Sequence, residues 1–151
     1  MKILVDSNIA IRLFHHTSLQ HRVALDSTEK LRLAKNRLCL APQNIYEIWS
    51  VATRPVNVNG LGFSFAQAQA EITNLKRFYD VLDETSAVFV EWEKLIAQHQ
   101  IVGKNAHDAH LVAAMMVHGI THILTFNKQD FQRFTNITVL TPADVIATSI
   151  P

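Results

Sequence analysis

Apolar and polar residues follow one another in blocks that predict strands leading into helices. The first block begins with the continuous apolar run Ile3-Leu4-Val5 and ends abruptly in Asp6, Ser7 and Asn8. A continuous rather than alternating run is typical of a strand buried on both faces of a parallel sheet. We therefore expect Asp6 at the carboxyl end of such a strand, with Ser7 or Asn8 capping the next helix. The alternative is that Asp6 is only a cap or turn residue.

The same pattern continues along the chain. Apolar residues with a helical period predict helices over 9–14, 20–35, 42–54, 64–79, 86–100 and 105–118, and a last helical turn from residue 142. The ends of these helices are expected at specific residues: Pro42 in a first turn, Ser64 with Gln67 as a capping box, Asn105 as a cap and Gly119 as a terminator. Short apolar runs predict strands at 38–41, 81–82, 122–125 and 138–140. In the helix at 86–100, the side chains expected to face inward are Val88, Phe89, Trp92, Leu95 and Ile96. Strands alternating with helices predict an α/β fold, a three-layer α/β/α sandwich with a mainly parallel central sheet.

Composition adds an expected compartment and size. With 151 residues, 48% of them hydrophobic, and with no repeat or linker, the chain is expected to form a single domain over 1–151. Cys39 is the only cysteine, which excludes an internal disulfide framework and favours a reducing cytoplasm. No apolar run approaches the length of a membrane span, and no signal-peptide pattern is present, so we expect no membrane partner.

The charge balance does not indicate a partner. A formal net charge of +1 is too close to neutral to predict nucleic-acid binding from bulk electrostatics. A polyanion would need a local basic patch, for which the candidates are Lys30, Arg32, Lys35, Arg37, Arg54, Lys104 and Lys128. Ordinary solvated surface charge is the simpler interpretation of each.

Two further acidic residues lie where a surface charge is not expected. Glu47 is one position off the apolar stripe of its predicted helix and therefore borders the core, with Arg54 two turns later on the same side. A carboxylate there is costly to desolvate unless a cation or a donor meets it. Asp108 shares a helix face with apolar residues three, four and seven positions later, so it should point into the interior edge of the fold. The alternative for Glu47 is a surface position favoured by the helix dipole.

Other polar residues near these positions allow a second kind of site. His107 and His110 are three apart and could chelate a transition metal, but no third nitrogen or sulfur ligand follows at a suitable spacing, so exposed or hydrogen-bonded histidines are preferred. The strand predicted at 122–125 ends in a polar corner that offers Thr125, Asn127 and Asp130. A simple Thr/Asn turn is the alternative there.

All these acidic positions can converge on one edge of a parallel sheet. Several carboxylates in one place repel one another, and they either take up protons or recruit a cation. Oxygen ligands favour Mg²⁺ or Mn²⁺ over softer metals. Such a site can bind phosphate oxygens, activate water and stabilise charge on the leaving oxygen of a phosphodiester, which is nuclease chemistry. No catalytic-triad order, Walker loop or Gly-rich dinucleotide motif competes with this interpretation.

Four segments of the chain resemble the PIN domain family. They are Val-Asp-Ser-Asn at the first strand, Asn-Ile-Tyr-Glu-Ile at 44–48, Asp-Ala-His-Leu-Val-Ala-Ala from Asp108, and the stretch from His118 to Phe131. The similarity runs from Lys2 to about Leu140, and the size is most similar to the VapC toxins of toxin-antitoxin pairs. The resemblance implies an endoribonuclease that depends on Mg²⁺ or Mn²⁺, cleaves RNA, and forms a homodimer inhibited by a small antitoxin.

The resemblance also implies roles for individual residues. Asp6 and Asp108 would be metal ligands, and Glu47 a ligand directly or through water. Asp130 would be the fourth catalytic acidic residue, although Asn127 stands where many relatives have Asp. Because an Asn ligand is neutral, we expect one well-bound metal ion and a second that arrives with substrate phosphate. Further contacts to metal or substrate are expected from Asn127, Thr125, Ser7 and Arg54.

Two other functions stay open on the sequence. The Asp-Ser-Asn start is faintly similar to haloacid-dehalogenase-type phosphatases, in which a first-strand Asp is the nucleophile, but Asn8 occupies the position of their second Asp. A non-catalytic RNA- or partner-binding module with the same fold is the other, and the presence of Asp6, Glu47 and Asp108 argues against it.

Overall fold

The structure is a computed structural model that describes residues 1–148. Its centre is a sheet of five short strands in the order β3-β2-β1-β4-β5, and every neighbouring pair is parallel. The strands are β1 (Lys2–Val5), β2 (Arg37–Leu40), β3 (Asp80–Val81), β4 (His122–Leu124) and β5 (Thr138–Leu140). The three apolar residues of β1 are fully buried, as a central strand covered on both faces requires.

Helices cover both faces of this sheet. They are α1 (Ser7–Phe14), α2 (His21–Leu33), α3 (Pro42–Thr53), α4 (Phe65–Phe78), α5 (Ser86–His99), α6 (Asn105–Val117) and α7 (Pro142–Ala147), with 3-10 helices at Val56–Val58 and Lys128–Phe131. Leu4 and Ile123 pack in one core cluster with α5 and α6, whereas Ile3 and Leu124 pack in the other with the remaining helices. The predicted three-layer α/β/α fold is therefore confirmed. None of the helices within residues 1–148 is both long enough and apolar enough to cross a membrane.

Several predicted helix ends are confirmed by specific caps. Pro42 occupies the first turn of α3. The Ser64 side chain accepts from the backbone N–H of Gln67, whose side chain bonds back to Ser64, so the predicted capping box precedes α4. Gly119 follows the C-cap of α6, His118, and adopts the left-handed conformation with φ of 65°, which suits a residue that lacks a side chain.

Two predicted caps are wrong. The N-cap of α1 is Asp6 itself, not Ser7 or Asn8, but the Asp6 side chain makes no capping hydrogen bond. The N-cap of α6 is Lys104, and Asn105 is already the first helical residue. In the first case the backbone is still extended at Asp6, between the end of β1 and the start of α1, and the Asp6 carboxylate is left for other partners.

The inward orientation predicted for Phe89 is also wrong, because its side chain is 57% exposed. The face of α5 that packs on α6 is centred on Val88 and Leu95, which are two turns apart and buried. Phe89 lies about 100° further around the helix from Val88. The buried stripe is thus narrower than the run of apolar residues suggested.

The sheet order reverses next to β1. The chain proceeds from β1 to β2 and β3 on one side, and β4 and β5 lie on the other side. Asp6 follows β1 and Thr125 follows β4, so both stand at the carboxyl ends of the two strands that flank the reversal. In open α/β sheets the crevice at this point is where ligands bind.

Candidate active site

Asp6 is a buried carboxylate held by three neighbouring polar side chains. Its Oδ2 accepts hydrogen bonds from Thr125 Oγ1 at 2.7 Å and from Asn8 Nδ2 at 3.0 Å, and Ser7 Oγ lies 3.3 Å from its Oδ1. Burial raises the pKa of Asp6 to about 6, the Thr125 hydrogen bond opposes that rise, and the nearby charge of Glu47 adds to it. Burial therefore opposes the ionised form of Asp6, and the hydrogen bonds from Thr125 and Ser7 favour it.

Thr125 fixes the corner after β4. The residue is fully buried, and its Oγ1 accepts from the Asn127 backbone N–H at 3.0 Å and from Asn8 Nδ2 at 3.1 Å while donating to Asp6. The Phe126 N–H in turn donates to Asn8 Oδ1 at 3.3 Å. The Thr/Asn turn considered from the sequence is thus present, and its hydroxyl at the same time contacts the Asp6 carboxylate.

Glu47 reaches the same edge from the first half of α3. Ser7 Oγ donates to its Oε2, and Gln43 Nε2 donates to its Oε1 at 2.8 Å. The side chain is half-buried, as predicted for a residue at the border of the apolar stripe. The Ser7 hydroxyl therefore lies between two carboxylates, those of Asp6 and Glu47, and links α1 to α3.

Asp108 completes the group from the first turn of α6. Partial burial raises its pKa to about 6, and the charges of Asp130, Asp6 and Glu47, in that order, raise it further, while Lys104 lowers it. Asp130 lies in the 3-10 helix that follows the β4 corner. Four acidic side chains from four separate segments thus act on one another electrostatically at the carboxyl edge of the sheet.

Two of the other predicted site residues are placed differently. Arg54 caps the end of α3, and among the hydrogen bonds of the described residues its guanidinium reaches the Asn59 carbonyl oxygen at 3.2 Å, not a carboxylate. Because α3 ends at Thr53, Arg54 leaves the helix face it would share with Glu47. The Asn127 side chain is exposed, and the residue is anchored by its backbone N–H.

Three of the remaining histidine and basic candidates make side-chain contacts within the chain. His110 lies 2.6 Å from Gln43 Oε1 and 2.8 Å from Glu84 Oε1 through its two ring nitrogens, and His107 is exposed. Among the basic residues, Lys30 donates to the Ile146 carbonyl and Arg37 pairs with Asp80 at 2.7 Å. The hydrogen-bonded interpretation therefore describes His110, and these cations are engaged within the chain.

Sequence reasoning missed Gln43 and Asn8. Gln43 lies one turn before Glu47 on α3, and Asn8 lies two residues after Asp6, so both positions were visible as neighbours of acidic residues. The only signal was the spacing of four on a helix, at which Gln and Glu side chains meet. A polar residue in the first turn of a helix is normally expected to have a side chain exposed to solvent.

The donors of this site fit a hard divalent cation. All are carboxylate, amide or hydroxyl oxygens, and the pKa values of Asp6 and Asp108 are raised first by burial and then by the charge of neighbouring carboxylates. Within residues 1–148, no three His, Cys, Asp or Glu side chains are arranged as a finished metal cage. The carboxylates of Asp6 and Glu47 instead share the hydroxyl of Ser7.

Comparison with solved structures identifies the same fold in toxin-antitoxin proteins. VapBC2 from Rickettsia felis, bound to a DNA fragment from its promoter, has 14% identity and a TM-score of 0.69 over 93% of this chain and 98% of that chain. VapBC-1 from nontypeable Haemophilus influenzae has 18% identity and a TM-score of 0.68 over 95% and 99%. VapC20 from Mycobacterium tuberculosis, a toxin that cleaves the sarcin-ricin loop, has 19% identity and a TM-score of 0.59 over 80% and 86%.

At these identities the likeness establishes the fold. The comparison with curated proteins gave no match. The profile of the PIN domain family matches residues 3–137, which include the strands from β1 to β4 and all four acidic residues of the site. With that match and with the parallel sheet in the order described above, the chain belongs to the PIN domain family.

Proposed function

We propose that this PIN domain is an endoribonuclease that hydrolyses RNA phosphodiesters with Mg²⁺ or Mn²⁺ and is the toxin of a toxin-antitoxin pair. The observation that carries the proposal is the meeting of four carboxylates at the reversal of the sheet, where burial and then the charges of Asp130, Asp6 and Glu47 raise the pKa of Asp108. The same fold in VapC20, described as cleaving the sarcin-ricin loop, supports RNA as the substrate.

Each acidic residue has a part in the proposed reaction. Asp6 and Asp108 would hold the divalent ion, with Glu47 as a ligand directly or through water, and the ion supplies activation of water and stabilisation of charge on phosphate oxygens. Thr125 and Asn8 orient the Asp6 carboxylate and favour its ionised form. Gln43 orients Glu47 in the same way. Asp130 adds negative charge beside Asp108 on the side of the β4 corner.

The proposal extends to partners and compartment. The structural neighbours include VapBC complexes and a toxin-antitoxin complex from Klebsiella pneumoniae, which supports a small antitoxin as the partner of this chain. We propose a single-domain toxin that acts as a homodimer in the cytoplasm, where RNA is available. Light scattering of the purified chain tests the dimer, and co-expression with the product of a neighbouring short reading frame tests the antitoxin.

The enzymatic proposal is tested by RNA cleavage with and without metal. We expect the purified chain to cleave single-stranded or structured RNA in Mg²⁺ or Mn²⁺, to stop in EDTA, and to lose cleavage in Asp6→Asn and in Asp108→Asn. Asp26→Asn is the matched control, because Asp26 lies on α2 and pairs with Arg22 at the surface. Undiminished cleavage by both site variants, or full cleavage in EDTA, would reject the proposal.

A further inference from the structure

A pocket lies beside the candidate active site, between α3, α5 and the start of α6. Its volume is about 490 Å³, which is within the range of sites that bury a small ligand. Tyr46, Phe89 and Trp92 form its aromatic walls, and Gln43, Glu84 and His110 supply its polar groups. A neighbouring groove shares Gln43, Tyr46 and His107 with this pocket and is also lined by Glu47 of the candidate active site.

The aromatic walls of the pocket are exposed and held in place. Phe89 is 57% exposed and Tyr46 is 69% exposed, so each keeps a large apolar surface in water. The rings of Phe89 and Trp92 are stacked, with centroids 5.9 Å apart and planes 24° apart, and Trp92 Nε1 donates to the Ala106 carbonyl at 2.8 Å. Exposure of this much aromatic surface is unfavourable unless something covers it, since apolar surface gains free energy on leaving water.

The polar side of the pocket is bonded directly to the candidate active site. Gln43 donates through Nε2 to Glu47 Oε1 at 2.8 Å, and its Oε1 lies 2.6 Å from His110 Nδ1. The other ring nitrogen of His110 lies 2.8 Å from Glu84 Oε1. The position of Glu47 and the shape of the pocket are therefore set by one hydrogen-bonded chain, so a group in the pocket is held in a fixed relation to the carboxylates.

We propose that this pocket takes one unpaired base of the RNA strand and thereby places the neighbouring phosphate at the carboxylates. The proposal rests on the proposed ribonuclease function. Unpaired bases are recognised chiefly by stacking on aromatic side chains, because every base has a π-face. The pocket is large enough to admit a planar ring, it has aromatic surface on its walls, and it adjoins the groove lined by Glu47. These three features favour a base over a protein partner.

The first test combines a protein variant with a base deletion. Phe89→Ala should lower kcat/KM for an RNA oligonucleotide roughly 5- to 100-fold, the size of the loss of one stacked base. One abasic nucleotide near the cleaved bond should cause a loss of similar size. The two changes together should be no worse than either alone, because they remove the same contact. Phe78→Ala, which alters a 55% exposed Phe on α4 outside the pocket, should have no effect.

The alternatives give different results in the same experiment. Additive losses at every abasic position, or no loss with Phe89→Ala, would overturn the proposal while leaving the ribonuclease assignment in place. A change of oligomeric state in Phe89→Ala, measured by light scattering, with unchanged RNA cleavage would identify the pocket as a protein interface and would also overturn it.

A binding measurement separates this proposal from the function on which it rests. RNA carrying 4-thiouridine at varied positions is irradiated in the presence of the Asp108→Asn variant, so no cleavage is needed, and the crosslinked residues are mapped by mass spectrometry. We expect crosslinks to Tyr46, Phe89 or Trp92 that disappear when Phe89→Ala is added. Crosslinks confined to other surfaces would overturn the pocket assignment, whereas absence of cleavage by the unaltered protein would instead count against the ribonuclease.

Discussion

The hydroxyl of Thr125 donates a 2.7 Å hydrogen bond to Oδ2 of Asp6, and this bond joins the carboxyl ends of the two strands between which the sheet order reverses. Both residues are buried. The bond stabilises the ionised form of Asp6 against the burial that raises its pKa to about 6. Thr125 is thus expected to control the protonation of Asp6 without itself binding substrate.

We expect Thr125→Val, which keeps the side-chain shape, to destabilise the protein by about 1–3 kcal/mol, since Asp6, Asn8 and the Asn127 N–H each lose a partner. The pKa of Asp6 should rise further, so the acid limb of RNA cleavage should move to higher pH. The measurements are urea unfolding and a pH-rate profile. Thr125→Ser, which retains the hydroxyl, should restore the profile, and an unchanged acid limb in Thr125→Val would contradict this role.

The stability of the metal-free protein should depend on pH in an unusual direction at this site. The pKa values of Asp6 and Asp108 are raised from 3.8 to about 6, mainly by burial, so the folded state binds more protons than the unfolded state between these values. The unfavourable contribution of the two ionised carboxylates to the free energy of unfolding is absent below about pH 3.8, grows up to about pH 6, and is fully present above it. Each of these carboxylates therefore lowers the stability as the pH rises through this window.

Removal of the charge should reverse that effect. In EDTA at pH 7.5 we expect Asp6→Asn to raise the free energy of unfolding by about 1–3 kcal/mol, and near pH 4 the gain should largely disappear. Asp26→Asn, at an exposed surface pair, should change stability by less than about 0.5 kcal/mol at either pH. Urea unfolding measures all three proteins, and a loss of stability in Asp6→Asn at pH 7.5 would contradict the assigned cause of the shift.

The loop after α3 depends on a residue without a side chain. A Cβ atom at Gly60 would lie 1.8 Å from the carbonyl oxygen of Arg54, so the backbone would have to move. At Gly119 a Cβ would meet open space, and only the left-handed φ of 65° opposes it. We expect Gly60→Ala to cost about 2–4 kcal/mol in urea unfolding and Gly119→Ala about 1 kcal/mol. A smaller loss of stability in Gly60→Ala than in Gly119→Ala would show that the backbone of the loop after α3 can move at little energetic cost.

The parts of the site that follow from local sequence could be predicted. The apolar run of β1 ends at Asp6, so its place at the strand end needed only the pattern, and the half-buried position of Glu47 needed only the helical period of α3. The bond between Asp6 and Thr125 could not be predicted, because it depends on which strands pair and in which register. In the structure Val5 pairs with Leu124, which brings the two following residues together.

The errors have a common physical origin. The exposure of Phe89 depends on how wide a face of α5 is covered by α6. The helical period of the sequence does not show the width of that face. Arg54 leaves the side of Glu47 because α3 ends one residue before it, where Pro55 disfavours a helical residue. Gln43 was missed because its role depends on His110 and Glu84, which come from other segments. Tertiary neighbours, rather than local propensity, decide each of these cases.

Asn127 gives the most direct test of whether the neutral residue limits cation binding. Its backbone N–H is anchored on Thr125, which bonds Asp6, and its side chain is exposed at the corner after β4. We expect Asn127→Asp to add a negative charge, so that the Mn²⁺ concentration for half-maximal RNA cleavage falls about three- to tenfold. The same charge should lower the free energy of unfolding in EDTA and raise it in Mn²⁺, because only the cation compensates it. The control is Asn136→Asp, which alters an exposed residue just before β5, at the amino ends of the strands and away from the carboxylates. It should change neither the Mn²⁺ dependence of cleavage nor the stability in this way. Equal metal dependence in the two variants would mean that the side chain at 127 does not take part in holding the ion, and that Asp130 alone supplies the fourth acidic group.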